Sequence, residues 1–473
     1  IRIGGVYTNA DESIRYGGSV TNATGVYLDG RLNDSDNETT LTIENTHAAN
    51  SDRIQGNTAI GSLRSGGRIV FNGNASTPVQ ERVQTLDMQG GRLSITVTGK
   101  STAVPTELIF GSVNRTSGSA LALATNVAGR IIVENAVNTN GIWQPWCFFG
   151  SYYAKAEADG TIISTVNSDY LTPAPSGNDP TGLYRFTASD LTLDAPTAMW
   201  GLRWDSTSAQ TINLGQNDLT IGSGSMIING NSDKVITSEG GKLVFAGEDI
   251  IFDTEGTGKF EIAAPITWQK PSGSAMTCPS LVFSRGRRTG NVTLSGQDDV
   301  AEYGSLYAYC YNGAQRTLFL GGSGDRTFNG PIGGYFHLEK QGTGTLTLKG
   351  QNDRRGGGFY VNEGKVIIAH NNAPNPIVQT NGICEFAEGV VFVGGTTTVT
   401  SNGLLRGLGT TGGVSLQPGA RIAPGTDSQI GTLTFGTHST LPSNMQLYTR
   451  LGLNTNDMLK ITGNLTLPAT GEP

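Results

Sequence analysis

One short phrase recurs along the chain: a glycine, a small or charged residue, then a run in which apolar and polar side chains alternate. It opens GRIVF at Gly67, GRLSITV at Gly91, GRIIV at Gly129, GKLVF at Gly241 and GKFEI at Gly258. It returns at Gly344, Gly364, Gly382, Gly413, Gly431 and Gly463. Alternation with period two puts one set of side chains on one face of a strand. The glycines supply the tight turns between strands. From 344 to 364 to 382 to 403 the steps are roughly 20 residues, the mark of a solenoid. No segment carries an apolar period of 3.6, so the expectation is an all-β chain, a parallel β-solenoid with loop insertions. Leu346, Leu348, Val366 and Ile368 should point inward.

Composition agrees with that reading. Gly is 67 of 473 residues, while charged residues are 15% and aromatics 7%, a mixture that starves helices and suits short strands with many turns. At about 4.8 Å per rung, about twenty rungs would make a rod near 100 Å long. The net charge of −7 leaves no basic footprint for nucleic acid. The dense basic stretch Arg285-Gly286-Arg287-Arg288 reads as a solvated turn. No apolar run approaches the length of a membrane span. No leader opens the chain at Ile1, so the expectation is a leader already removed, or a mature fragment.

Three regions follow. Residues 1–140 read as N-terminal solenoid rungs. Residues 141–182 hold an aromatic-rich insertion, with Trp143, Trp146, Cys147, Phe148, Phe149, Tyr152 and Tyr153 close together, and then the Pro/Gly connector TPAPSGNDPT. The plain reading is a segment that folds over the solenoid and buries its rings. The functional one is a ligand platform of Trp143, Trp146, Tyr152 and Tyr153. Residues 183–473 form the main solenoid, with Trp200 and Trp204 expected in its core.

Several fragments imitate catalytic signatures. Gly296-Gln297-Asp298-Asp299 pairs two carboxylates in the way glycan-cleaving enzymes require. The phrase recurs at Gly215 and Gly350 with Asn for the first Asp, which points to turn chemistry. The run from Gly407 to Gly412 fits G-x-G-x-x-G, but a strand follows it where a dinucleotide site needs a helix. The run from Gly321 to Asp325 approaches a calcium nonapeptide, once and with Asp one place early. Leu467-Pro468-Ala469-Thr470-Gly471 fits a surface-sorting signal without its apolar tail. His47, His337, His370 and His438 stand in unrelated contexts. Cys147, Cys278, Cys310 and Cys384 lack metal spacing, and Cys278 and Cys310 lie far enough apart to bridge neighbouring rungs. No catalytic residue, cofactor or metal is expected.

The stretch LEKQGTGTLTLKGQNDRRGGGFYVNEGKVII (338–368) resembles one copy of the autotransporter-associated β-strand repeat of bacterial secreted passenger proteins. GGVSLQPGARIAPGTDSQIGTLTF and NDMLKITGNLTL, within 412–467, resemble the usual ending of such passengers. ELIFGSVNRTSGSALAL (107–123) and GIWQPWCFFGSYYAKAEADGTIISTVNSDY (141–170) resemble segments of large proteins carrying this repeat. The resemblance implies an exported right-handed parallel β-helix at the cell surface or outside the cell, and it names no enzyme activity.

The leading expectation is a non-enzymatic structural rod that self-associates head to tail through strand edges at its ends, using Ile1, Ile3, Leu459, Ile461, Leu465 and Leu467. The alternatives are an adhesin binding glycans or cell surfaces through the aromatic platform and, ranked last, a polysaccharide-degrading enzyme. Two carboxylates and an Arg or Lys lining one groove, with raised pKa values, would promote that last reading.

Overall fold

A computed structural model of the chain describes residues 39–467 apart from 48, 52, 55–57, 64–65, 188–189, 285–290, 301, 309–316, 335, 355–356, 393–394, 438 and 454, and before them residues 2–4, 6–8, 14–16 and 24–28. The basic stretch 285–288, Cys310, His438 and Ile1 lie outside the described residues, and so does the sorting-like signal beyond Leu467. The structure is nearly all β and built mainly from parallel sheets, compatible with a β-solenoid. Helix among the described residues is limited to one 3₁₀ turn, Asn167–Asp169.

The main stack has three faces that the chain visits in turn. Leu183–Phe186, Leu191–Thr192 and Thr197–Met199 start them, and Gly201–Asp205, Gln210–Asn213 and Leu219–Ile221 add the next layer. The first face runs for eight parallel strands to Asn352–Arg354, and the second for thirteen to Leu465–Thr466. The third is divided into sheets of four and eight strands, and in the last layers a three-stranded sheet, Thr410–Thr411, Thr432–Phe435 and Met458–Ile461, takes the first face's place in the circuit. In the eight-stranded sheet of the third face Phe328, Leu348, Ile368 and Phe386 are register partners in successive layers. All four are fully buried, as are Leu346 and Val366, so the alternation read from sequence is the alternation found. Burying each such side chain contributes about 1.5–3 kcal/mol, and the column repeats it layer after layer.

Aspartates just before a strand tie several layers to the next. Asp190, Asp218, Asp233 and Asp325 accept from the backbone N–H of Thr211, Lys242, Lys259 and Thr345 at 2.6–2.9 Å. This is the turn chemistry that short acceptor side chains provide. It accounts for Asp325 of the calcium-like run.

The first stack is separate. Gly67–Asn72, Gly91–Thr98, Ser119–Thr125 and Cys147–Phe149 continue one parallel sheet, and Val79–Met88, Thr106–Arg115 and Gly129–Val133 the facing one. Tyr152–Ala156 and Ile162–Ser164 then turn antiparallel and close its end. The aromatic segment is therefore the last layer and lid of this stack. At about 4.8 Å per strand the thirteen-stranded face is about 60 Å long. The expected rod near 100 Å is corrected accordingly, because the first stack lies beside the second instead of extending it.

Candidate functional site

The joint between the stacks brings the aromatic segment together with a buried ion pair. On the first face of the main stack Ile251, Val282 and Tyr307 are register partners, and Ile227 lies one layer earlier. These four alternate with core residues and so point outward, yet all are buried in the hydrophobic cluster of the first stack. Tyr307 fits because glycines face it. A Cβ on Gly118 of the first stack would lie 2.9 Å from its ring, and one on Gly333 would lie 2.4 Å away. Gly118 also has φ +86°, a left-handed conformation that glycine adopts without strain.

Polar locks flank this apolar strip. The fully buried Asp249 carboxylate pairs with Arg115 and accepts from Ser117 Oγ at 2.7 Å, Gly118 N–H at 3.1 Å and Ser280 N–H at 3.0 Å. Ser117 Oγ and Ser280 Oγ are 2.8 Å apart. At the other side Arg203 stacks on Tyr152 at 3.7 Å, donates to Ser151 O at 3.0 Å and pairs with Asp205. Tyr153 donates to Ser225 O at 2.7 Å, and burial pushes its phenol pKa up. Buried charge held by this many donors is costly to disrupt, because removing one partner strands the other.

A cleft of about 310 Å³ opens beside the lock, between Trp143 and Trp146 on one side and Trp200 and the stretch Ala246–Asp249 on the other. Trp143 and Trp146 rings are 5.8 Å apart, and the Arg115 guanidinium lies 5.3 Å from the Trp146 ring. The four platform residues are thus divided. Trp143 and Trp146 wall the cleft, both more than nine-tenths buried, while Tyr152 and the fully buried Tyr153 hold the joint. Trp204 is in the core as expected. Trp200 is not; it is half-buried and faces the cleft.

The other motifs resolve into structural roles. Asp298 is buried against Arg326 at 2.6 Å and accepts from Tyr303 at 2.8 Å, whereas Asp299 points out to Lys242 at 2.6 Å. The two carboxylates lie on opposite sides of the chain and cannot act on one bond. Nor do the three copies of the phrase mark one corner. Gly215 and Gly296 follow strands of the second face, and Gly350 precedes a strand of the first. Gly407 pairs with Gly425 across a bridge between layers. Cys147 and Cys384 are buried, and burial pushes both thiols up.

A second cleft, about 380 Å³, does place two carboxylates beside two arginines: Asp427, Asp457, Arg406 and Arg450. Arg406 grips Asp427 with both terminal nitrogens and donates Nε to Glu385 at 2.8 Å. The Arg406 bonds hold Asp427 below the usual carboxylate range. At Asp457 burial pushes upward, but Arg450 at 2.8 Å and the N–H groups of Arg450 and Gly431 prevail and its pKa is lowered. Both carboxylates stay ionised as structural acceptors, the opposite of what a general acid needs. Leu459 and Ile461 are half-buried against the core, while Leu465 and Leu467 are exposed. Ile3 lies in a strand paired with Ile43.

Comparison with known proteins adds no likeness. The chain matches no family model, no curated protein and no solved structure. Its resemblance to the autotransporter-associated repeat therefore rests on the residues quoted above. Sequence reasoning missed Arg115 and Asp249 and placed Trp200 in the core. The available signal was the continuously apolar Ile250-Ile251-Phe252 and Leu281-Val282-Phe283, because a parallel strand covered on both faces loses its alternation.

Proposed function

We propose that this chain is a non-enzymatic extracellular structural protein, a right-handed parallel β-helix of the passenger type that self-associates end to end. The observation that carries the reading is the fate of the acidic residues. The paired carboxylates of 296–299 diverge, and those of the second cleft are held ionised by arginines. Parallel layers tied by side-chain acceptors make a stiff body in which every layer supports its neighbours. Apolar side chains gather on the surface of 447–467, where Leu451, Leu453 and Leu467 are 82%, 104% and 63% exposed. That surface, next to strands Met458–Ile461 and Leu465–Thr466, suits coverage by a strand from a second copy.

Sedimentation velocity over a hundredfold concentration range, with electron microscopy of the same samples, tests the assembly. Linear oligomers are expected, and Leu453→Glu with Leu465→Glu should abolish them. A monomer at every concentration would overturn self-association. Release of reducing ends from a polysaccharide panel would overturn the non-enzymatic reading.

A further inference from the structure

We propose that residues 171–182 are a displaceable strap over the head of the main stack, and that the tail of a second copy takes their place. The inference rests on the end-to-end reading above and names the surface that the tail meets. A connector between two stacks need not bond to either, but this one does. Leu171 pairs in parallel with Tyr184, donating to Leu183 O at 2.8 Å and accepting from Arg185 N–H at 2.8 Å. Pro175 O accepts from Asp194 N–H at 3.0 Å, and the Tyr184 hydroxyl accepts from Asp179 N–H at 2.6 Å. Leu183 O and the Arg185 and Asp194 N–H groups belong to the first layer, which has no earlier layer to bond. The strap stands in for that layer.

It makes those bonds while burying little of itself. Within 171–182 only Pro173 is buried, and Leu171 is 51% exposed. The shape of the strap comes from its own turns. Asn178 Oδ1 accepts from Ala174 N–H at 2.9 Å, its amide donates to Ala174 O at 3.0 Å, and Asp179 Oδ1 accepts from Thr181 N–H at 2.8 Å. Pro173, Pro175 and Pro180 carry no N–H, so the closed strap is a poor template for another strand. A cover held by a few hydrogen bonds and little apolar area yields to a strand that offers the same bonds.

The tail offers them on matching faces. Among the described residues Gln446–Leu447 ends the sheet of the third face, Met458–Ile461 the sheet in the first face's place, and Leu465–Thr466 the second face. The head presents Thr197–Met199, Leu183–Phe186 and Leu191–Thr192 on the same three faces. Met458–Ile461 and Leu183–Phe186 are four residues each, and Leu465–Thr466 and Leu191–Thr192 two each. The sequences agree as well, since Asn464-Leu465-Thr466-Leu467 repeats Asp190-Leu191-Thr192-Leu193 with Asn for Asp. Leu191 pairs with Ile212, and Asp190 accepts from the N–H of Thr211, one place earlier, at 2.7 Å. Asn464, at the same place before its strand, would take the N–H of Asp190 in the second copy. Leu465, 43% exposed, ends the column Val414, Ser439, Leu465, and Leu191 begins the one that continues in Ile212 and Ile236. Docking joins the two columns and covers Leu465.

Sedimentation velocity on the full chain, with and without Pro173→Gly and Asn178→Gly together, tests the strap. The loosened chain should form the same linear oligomers at about one-tenth of the wild-type concentration or less, because an added copy no longer competes with a shaped strap. Leu465→Glu in the loosened chain should return it to monomer. The register is tested by Thr192→Cys with Thr466→Cys in a chain carrying Cys278→Ser and Cys310→Ser. Parallel neighbours about 4.8 Å apart fall within bridging geometry, so oxidised oligomers should yield a 192–466 linked peptide between molecules. That chain keeps the native strap, so the register test stands even where the loosened chain melts early. Linear oligomers that ignore the strap substitutions in a folded chain, or that form without the 192–466 link, would overturn the strap and leave self-association standing. Monomers at every concentration in all of these chains would overturn both.

Discussion

Two stretches of one sheet show what organises this molecule. On the first face of the main stack one outward column runs Ile251, Val282, Tyr307 and then Gly333, Asp353. The first three are buried under the first stack, and the three residues around each read IIF, LVF and LYA, all apolar. In the next two layers the strands read IGG and NDR. The backbone pairing is parallel and in register in both stretches, while the outward residue changes from a large buried side chain to glycine and then aspartate. Docking is therefore written in the side chains that a lone solenoid would leave polar, as expected for a parallel sheet covered on both faces.

The largest effect should come from the lock. Asp249→Ala takes the buried carboxylate from the Arg115 guanidinium, which is only 7% exposed and keeps Ser119 O at 3.0 Å and the exposed Glu248 at 3.7 Å, and should cost the joint about 3 kcal/mol. Calorimetry should then resolve a separate, earlier transition for the first stack, and a protease should cut the 171–182 connector faster. Replacing both partners, Arg115→Met with Asp249→Leu, should cost less than Asp249→Ala alone.

Ile251→Ala should cost about 2–5 kcal/mol and loosen the same joint, whereas Leu346→Ala, of similar size, should lower the melting of the main stack and leave docking intact. If hydrogen exchange shows both variants opening the same amides, the separation of joint from core fails.

Lys340 offers a smaller, pH-dependent contrast within the undocked layers. Its ammonium donates to the carbonyls of Gln341 at 2.7 Å and Gly342 at 2.6 Å, and burial lowers its pKa to about 8. The unfolded chain, with the ordinary value of 10.5, holds the proton more tightly. The group's unfavourable contribution is full below pH 8 and fades as pH rises from about 8 to 10.5. Stability should rise there relative to Lys340→Met, by at most about 1.4 kcal/mol per pH unit. Denaturant melts of both proteins at pH 7, 8, 9 and 10 would measure it, and a wild-type curve falling relative to the variant would reverse the sign. Smallest of all, Thr347→Asp, outward on the third face, should stay within about 0.5 kcal/mol of wild type by urea melting.

Much of the core was legible in the sequence. Period-two alternation placed Leu346, Leu348, Val366 and Ile368 inward because each covers one face of a half-exposed strand. The lateral joint was not. Its strands lack alternation, and its partners are far apart in the chain: Arg115 and Asp249 are separated by 134 residues. Local pattern carries no information about such a meeting. Trp143 and Trp146 were legible as an aromatic cluster, but their third companion, Trp200, sits on the opposite stack. The repeated G-Q-[ND]-D phrase was legible as a turn but not as a place in the fold, because a good turn sequence serves any corner.

The most direct test of the side-by-side arrangement is a cross-link at Ser117 and Ser280, whose hydroxyls are 2.8 Å apart. Cysteines at both positions, in a chain carrying Cys278→Ser and Cys310→Ser, should oxidise to an intramolecular disulfide, because side chains this close fall within bridging geometry. Mass spectrometry should find the 117–280 linked peptide in most molecules, with the melting temperature kept or raised. A folded double-cysteine protein that stays reduced under the same oxidant, or that links only between molecules, would contradict the docking of the two stacks.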